Sequence, residues 1–366
     1  MSSSAHLDTA RQGLRKLFGR SSSVTPQERA LLTHDWDRMA RHRTPNTDAG
    51  RMALVLHAIH AGDTATALEA IPDNPGDVMR YLSDYARWQS GTLMSARGEE
   101  FASAFASLHQ DDVVTIATIQ KSGTHWMRFF LTNYARCLDN PGEDRPISYK
   151  ELLRDYYGNN RWQFFREAEP YRVPSGLLAG HGISDVTMQH FSGQFDPFVF
   201  SPGKKIMLYR NPLDYVISLF HYTIKQRPQN RGRAEHPRDV IVSMLDTYSK
   251  HYLTLDAYRD DETTFVAAYE DLKEDPAGRF RDVVRFLGLP LEEEAVDRAL
   301  ALSDISTIHA MEDKAGRSMV VKLDGYFTRD GSIGQWKQFF DDKDVAVAAS
   351  VLDGYGIDLE TFTVEG

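Results

Sequence analysis

A short polar segment between two apolar stretches carries the side chains best suited to binding an anion. Residues 120–126 read Gln-Lys-Ser-Gly-Thr-His-Trp and join a β-branched run to a helical pattern. Gly123 lets the backbone approach a ligand closely, and N–H groups at a helix start attract negative charge. Lys121 adds a full positive charge, while Ser122 and Thr124 add hydroxyl donors. The segment predicts a phosphate-binding loop, although its spacing differs from that of nucleoside triphosphate loops.

Two further segments offer positive charge next to hydroxyl or backbone donors. Arg210, in an Arg-Asn-Pro turn, has a planar guanidinium suited to phosphate, and Ser218 follows it in the same helical stretch. Arg329 precedes a glycine-rich turn that contains Gly331. Each segment alone is compatible with a capped helix or a surface loop.

The three segments resemble the signature of the cytosolic sulfotransferase family, which takes a sulfuryl group from 3′-phosphoadenosine 5′-phosphosulfate (PAPS). Residues 120–126 resemble its 5′-phosphosulfate loop, and residues 209–218 resemble its 3′-phosphate motif. Residues 327–337 resemble the segment that closes over the nucleotide. Gln120 departs from the family's proline, and Asp330 departs from its lysine, which places an anion near a phosphate.

The resemblance implies a set of residues that hold PAPS and the product 3′-phosphoadenosine 5′-phosphate (PAP). Tyr269 resembles the family's residue that hydrogen-bonds the adenine, and Trp126 resembles the aromatic that stacks on it. Ser306 resembles an adenine-contacting position, with helix capping or core packing as the alternative. The implied set is Lys121, Ser122, Gly123, Thr124, His125, Trp126, Arg210, Ser218, Tyr269, Ser306, Arg329, Asp330 and Gly331. The spacing of His and Cys residues predicts no metal site.

Sulfuryl transfer to a hydroxyl requires a cation at the leaving oxygen and a base for the acceptor proton. We assign the cation to Lys121, and the resemblance implies that Ser218 holds this lysine away until the acceptor binds. A histidine suits the base because it titrates near neutral pH. We predict His181, which lies between the first two segments, where the family places its catalytic histidine. His125 and His221 are the alternatives.

Alternating strands and helices must position these residues. Residues 113–119, 205–209 and 264–268 are short apolar runs typical of strands buried on both faces, and each precedes a helical pattern. This repetition predicts an α/β protein with a P-loop-like three-layer fold around a central parallel sheet. Ligands bind such sheets at the carboxyl ends of the strands, where the first two segments lie.

The first 110 residues follow a helical pattern without strand signals. They predict an all-α N-terminal region in residues 1–110, before a sulfotransferase domain in residues 111–366. A capping box begins at Thr25, with proline at the first helical position. We predict helices over about residues 25–43, 48–61, 64–70 and 77–89.

Composition limits the classes of function that remain. The chain has 366 residues and a formal net charge of −10 at pH 7, which argues against non-specific binding of nucleic acid. No apolar stretch has the length of a membrane span, and the N-terminus lacks a secretory signal pattern. The single cysteine, Cys137, excludes an internal disulfide, so we expect a cytoplasmic protein.

The acceptor is expected to be a hydroxyl-bearing organic molecule whose identity the sequence does not specify. A basic loop over residues 225–238 fits a lid, a site for an anionic acceptor, or a solvated loop, and the oligomeric state stays open. Aromatic residues before His181 suit a small or amphiphilic acceptor, with core packing as the alternative: Tyr149, Tyr156, Tyr157, Trp162, Phe164, Phe165 and Tyr171.

Two other functions fit parts of the same pattern. A P-loop kinase would use a similar loop, but this loop lacks the second glycine–lysine pair, and no magnesium-binding carboxylate is evident. A PAP-binding relative without catalytic activity would explain Gln120, Asp330 and the absence of a lysine beside His181. ATP hydrolysis with magnesium would favour the kinase, and PAP binding without transfer would favour the inactive relative.

Overall fold

A sheet of four parallel strands lies at the centre of the described part of the chain. The computed structural model describes residues 24–41, 47–148, 151–152, 178–193, 195–225, 230, 232–314, 326 and 329–362. The strands are β1 (Val113–Thr118), β2 (Asp185–His190), β3 (Lys205–Tyr209) and β4 (Thr264–Ala268). Their order is β2-β1-β3-β4, so β1 and β3 are central.

Helices alone precede β1 in the described residues. At the start of the first helix, Thr25 forms the predicted capping box with Glu28. The single helix predicted over about residues 25–43 is instead two helices, with His34 between them in the left-handed region at φ 51°. The bounds are α1 (Pro26–Leu32), α2 (Trp36–Arg41), α3 (Asp48–His60), α4 (Thr64–Ala70), α5 (Asp77–Gln89), α6 (Leu93–Arg97) and α7 (Glu99–Ser107).

The helices after β1 cover both faces of the sheet and complete three layers. A π-helix over His221–Lys225 continues the second of them. The helices are α8 (Thr124–Asp139), α9 (Pro212–Phe220), α10 (Ile241–Asp256), α11 (Tyr269–Glu274), α12 (Pro276–Leu287), α13 (Glu293–Leu302), α14 (Ile305–Lys314) and α15 (Asp342–Asp353). The predicted parallel α/β architecture is confirmed.

Side chains that alternate along the strands enter two separate cores. Ile116 and Leu208 pack on one face against α8, α12 and α13. Ala117 and Met207 pack on the other face against α9, α10 and α15. Every residue of β1 is buried, as expected for a central strand with helices on both sides.

The N-terminal helices share core residues with the sheet region. Phe195, in the connection from β2 to β3, is buried in the core of α1 to α7, and Leu32 is buried in a core of the sheet. The Tyr85 and Phe200 rings stack with centroids 4.2 Å apart. The proposed domain boundary after residue 110 therefore falls within a packed structure. No helix in the described ranges is both long and apolar enough to cross a membrane.

Candidate active site

The loop between β1 and α8 has a backbone shaped to surround an anion. Lys121 has a φ of 66° and Gly123 a φ of 89°, both in the left-handed region. A Cβ on Gly123 would lie 3.0 Å from Tyr269 Cδ2, so no other residue fits there without displacement. The Thr124 hydroxyl, at the start of α8, lies 2.8 Å from the Thr118 hydroxyl at the end of β1. Successive left-handed positions turn backbone N–H groups toward one concave side.

Residues from all three sequence segments line one cavity of about 920 Å³. Two of the predicted residues, Ser122 and His181, are not part of its wall. Ser122 is fully buried, and its Oγ has no hydrogen-bond partner among the described residues. The predicted residues on the wall are Lys121, Gly123, Thr124, His125, Trp126, Arg210, Ser218, Tyr269, Ser306, Arg329, Asp330 and Gly331.

His181 lies away from this cavity, which does not support the catalytic role predicted for it. It ends a 3-10 turn that precedes β2, and its Nε2 is 3.1 Å from Asp139 Oδ1 at the end of α8. That position is at the amino end of the strand, whereas the phosphate-binding loop follows the carboxyl end of β1. The sheet therefore separates His181 from Lys121.

His190, which the sequence analysis does not select, ends β2 and lines the cavity. It pairs with Thr118 in the sheet, and its Nδ1 lies 2.9 Å from the Thr118 hydroxyl. Burial, together with the charges of Arg128 and Lys121, lowers the pKa of His190 to about 4. The imidazole is thus neutral at pH 7 and able to accept a proton. A histidine at the end of a polar strand before Arg210 is the signal that would have identified it.

Lys121 keeps a positive charge in a buried position. Burial, together with the charges of Arg210 and Arg329, lowers its pKa to about 8, against an opposing effect of Glu312. The ammonium lies 4.7 Å from the centroid of the Tyr222 ring, a cation–π contact. At neutral pH the side chain is still mainly protonated, so the loop presents a cation to the cavity.

Arg210 is almost completely buried and fixed from several sides. Its guanidinium carbon lies 4.6 Å from the centroid of the Tyr269 ring. Its Nη2 donates a hydrogen bond of 2.5 Å to the Ser332 carbonyl, and carboxylates of Asp214 and Glu270 lie 3.8 Å away. These contacts hold the guanidinium at the cavity wall, between the Arg-Asn-Pro turn and the C-terminal segment.

Asp214 holds the C-terminal segment over the cavity. Its carboxylate accepts backbone hydrogen bonds from Gly334 at 2.6 Å and from Trp336 at 3.0 Å. Tyr269 donates its hydroxyl to the Gly331 carbonyl at 2.7 Å, which fixes the same segment to α11. The second and third motifs are thus joined directly, which their separation in sequence does not reveal.

The π-helix after α9 forms another part of the cavity wall. His221, Tyr222 and Thr223 line the cavity together with His190. Burial lowers the pKa of His221 to about 4, helped by the charges of Arg329 and Lys225. An extra residue in a helical turn is common at functional sites, and here it orders the side chains opposite the strand end.

The predicted aromatic wall of the acceptor site lies outside the described residues. This holds for all seven aromatic residues between positions 149 and 171. The basic loop is described only in part, without Arg227 and Arg231. Its Arg238 lies 3.4 Å from Asp344 in α15, so this arginine forms an exposed ion pair.

The comparisons with known proteins all point to the same family. The family described as Sulfotransferase domain matches residues 111–353 of the chain. Cytosolic sulfotransferase 3 of Arabidopsis thaliana is 23% identical over 300 residues, covering 75% of this chain and 86% of that protein. Sulfotransferase 6B1 of Danio rerio is 27% identical over 235 residues, covering 63% of this chain and 73% of that protein.

A solved structure supports the fold. The crystal structure of retinol dehydratase in complex with androsterone and the inactive cofactor PAP matches with a TM-score of 0.50 and 19% identity. The match covers 70% of this chain and 85% of that chain. The family match spans the whole sheet and the three segments that meet at the cavity. The chain therefore belongs to the sulfotransferase family.

Proposed function

We propose that this sulfotransferase uses PAPS as the donor and transfers its sulfuryl group to a hydroxyl of a small or amphiphilic organic acceptor. One observation carries the proposal: segments far apart in sequence bring Lys121, Arg210 and Arg329 to the wall of one cavity. The chain as a whole is acidic, so this local concentration of positive charge indicates a polyanionic ligand. The volume of the cavity, about 920 Å³, is in the range of sites for small molecules.

The residues at the cavity fit such a nucleotide. The left-handed turn at Gly123 and the start of α8 suit the 5′-phosphosulfate group. Arg210 and Arg329, with Ser218, suit the 3′-phosphate. Trp126 and Tyr269 line the same cavity and supply aromatic surface for the base.

Lys121 and Ser218 would act on the leaving side of the reaction. When bound, PAPS supplies a sulfur atom whose bond to the 5′-phosphate oxygen breaks as a bond to the acceptor oxygen forms. Lys121, protonated below its pKa of about 8, places positive charge where that 5′-phosphate oxygen gains the electron pair. Ser218 lines the same cavity and would hold the lysine before the acceptor arrives.

His190 takes the place of His181 as the proposed general base. Its Nδ1 is occupied by the Thr118 hydroxyl, which leaves Nε2 to accept the proton of the acceptor hydroxyl. The lowered pKa keeps the imidazole unprotonated at pH 7. His125 and His221 also line the cavity and are the competing assignments.

The kinase alternative is not favoured. The sulfotransferase match covers residues 111–353, and the loop lacks the glycine–lysine spacing that nucleoside triphosphate enzymes use. The alternative of an inactive relative differs from this proposal only in catalysis, because such a protein would also bind PAP. The named relative from Arabidopsis is cytosolic, which supports our expectation of the cytoplasm for this chain.

Calorimetric titration with PAP, AMP and ATP tests the donor assignment. We expect micromolar binding of PAP, roughly −8 kcal/mol, and much weaker binding of AMP. Arg210→Ala should weaken PAP binding by about ten-fold or more, since it removes a charge-assisted hydrogen bond. Arg285→Ala, at an exposed arginine of α12, is the control and should leave binding unchanged.

Failure to bind PAP, or a preference for ATP, would overturn the proposal. An acceptor panel of phenols, steroids, sugars and other alcohols, with labelled PAPS, then tests transfer. Binding of PAP without transfer to any acceptor would favour the inactive relative. Transfer that is lost in Arg210→Ala at low donor concentration would support the enzyme.

A further inference from the structure

Lys273, which lies outside the three motifs, adds a positive charge to the cavity wall. Lys273 is in the last turn of α11, one helical turn after Tyr269, and both residues line the cavity. Its Nζ lies 5.7 Å from the centroid of the Trp126 ring. With the described residues Lys273 forms no ion pair and no hydrogen bond, whereas Arg210 lies beside Asp214 and Glu270.

The ammonium of Lys273 lies beside the C-terminal segment. It is 4.0 Å from the position that a Cβ on Gly331 would occupy. Arg210 reaches the next residue of the same segment through its bond to the Ser332 carbonyl. Tyr269 contacts the Arg210 guanidinium through its ring and the Gly331 carbonyl through its hydroxyl. Arg210 and Lys273 thus both lie beside residues 331–332.

The cavity wall also carries acidic residues, whose negative charge opposes the binding of an anion. Asp304 and Asp330 both line the cavity, and a bound polyanion would be repelled by each of them. The Ser306 hydroxyl, with a smaller effect of Lys273, holds the pKa of Asp304 below its usual value. Arg329 is itself tied to Gln335 and lies 3.9 Å from Asp330.

We propose that Lys273, together with Arg210, binds the 3′-phosphate of the nucleotide and so determines the preference for a 3′-phosphorylated ligand; this rests on the function proposed above. Lys273 is then the cation that offsets Asp330 when the C-terminal segment covers the ligand. A lysine ammonium reaches a phosphate as a point charge and needs no fixed fork geometry.

Titration of PAP and AMP into variants of Lys273, and into a control variant that loses the same charge elsewhere, tests this role. Lys273→Met should weaken PAP binding by roughly ten- to hundred-fold, the range for a lost charge-assisted hydrogen bond, and weaken AMP binding by less than about two-fold. Lys273→Arg should restore most of the preference for PAP over AMP. Lys343→Met removes the same charge from the exposed start of α15, outside the cavity, and should change neither affinity.

The outcomes separate this inference from the proposed function. Equal weakening of PAP and AMP in Lys273→Met would overturn it, since the lysine would then act on the base or the 5′-phosphate. Unchanged PAP binding would also overturn it, and the wild-type protein would still be a PAP-binding sulfotransferase. Absence of PAP binding to the wild-type chain would overturn the proposed function instead.

Discussion

His190 and Lys121 face the same cavity from the ends of neighbouring strands, and burial lowers the pKa of both. Burial keeps the imidazole neutral and lowers the pKa of the ammonium only to about 8. A neutral base and a charged leaving-group cation therefore coexist at pH 7. Desolvation is the largest cause of both shifts: it favours the neutral imidazole and opposes the charged ammonium, which still keeps its proton at pH 7.

Separate replacement of His190 and His181 by asparagine distinguishes their roles. His190→Asn should lower kcat by about 10²- to 10⁴-fold, the usual contribution of a general base, with PAP affinity nearly unchanged. His181→Asn should leave kcat within about two-fold, because His181 contacts Asp139 away from the cavity. Steady-state kinetics and PAP titration of both variants provide the measurement. The reverse ranking of the two variants would restore the assignment to His181.

The pH dependence of the free enzyme reports Lys121. The lowered pKa means that the ammonium loses its proton as pH rises through about 8, so kcat/KM should fall above that pH. On the acid side, activity should persist until His190 becomes protonated near pH 4. Lys121→Arg should shift the alkaline limb upward, since a guanidinium does not titrate in this range. An alkaline limb that is the same in both proteins would show that another group causes it.

At the scale of elements, the C-terminal segment and α9 act as one unit. The Asp214 carboxylate in the first turn of α9 accepts two backbone N–H groups from the segment that carries Gly331 and Arg329. Sequence alone assigns these parts to two separate motifs. The position of the C-terminal segment therefore depends on a residue that is not itself on the cavity wall.

Removal of the Asp214 carboxylate should loosen the C-terminal segment. Asp214→Ala is expected to weaken PAP binding by about ten-fold, the loss of one or two hydrogen bonds to a charged group. Glu270→Gln is the matched control, because it removes the other carboxylate near Arg210 and leaves the segment untouched. Similar losses in both variants, measured by calorimetry, would place the effect on Arg210 instead.

The strands show which parts of the site were open to prediction. Residues 205–209 and 264–268 are predicted as observed, and β1 ends one residue earlier than predicted, because all three strands are short, mainly apolar runs. β2 is an edge strand with polar residues at Asp185, Thr187, Gln189 and His190, so its pattern resembles a loop. Without β2, the histidine at its end had no assigned position, which explains the choice of His181.

The loop motifs were more predictable than the contacts between them. Gly123, Arg210 and Gly331 are defined by local chemistry, and all three line the cavity. The bond from Asp214 to the C-terminal segment and the approach of Lys273 to Gly331 depend on residues far apart in sequence. Neither has a local pattern that could indicate it. The individual roles of the site residues stay predictions until variants are measured.

At the scale of the whole molecule, the helical region and the sheet share buried residues. Phe195 lies in the N-terminal core, Leu32 in a core of the sheet, and His34 Nδ1 is 2.8 Å from the Tyr258 hydroxyl. A boundary after residue 110 separates two patterns of sequence and crosses these contacts. It stays a proposal about organisation, and the packing argues that the two regions support one another.

The shared core predicts that the chain unfolds in one cooperative step. Phe195→Ala should lower the free energy of unfolding by about 3–5 kcal/mol, the cost of a large cavity, and keep a single transition. Urea unfolding followed by far-UV circular dichroism and by tryptophan fluorescence should give the same midpoint. Tryptophans occur in both regions, including Trp36 and Trp126, so unfolding of either region alone would appear as a separate step in the fluorescence curve. Two resolved transitions would contradict the shared core.

The hydrogen bond from Arg210 to the Ser332 carbonyl has a consequence for how the site is assembled. It uses one of the five N–H donors of the guanidinium and ties the C-terminal segment to the turn that follows β3. Because four donors are left, this bond and a bound phosphate do not exclude one another. The direction of the side chain is set when the chain folds, so under the proposed function little rotational entropy of Arg210 would be lost on binding.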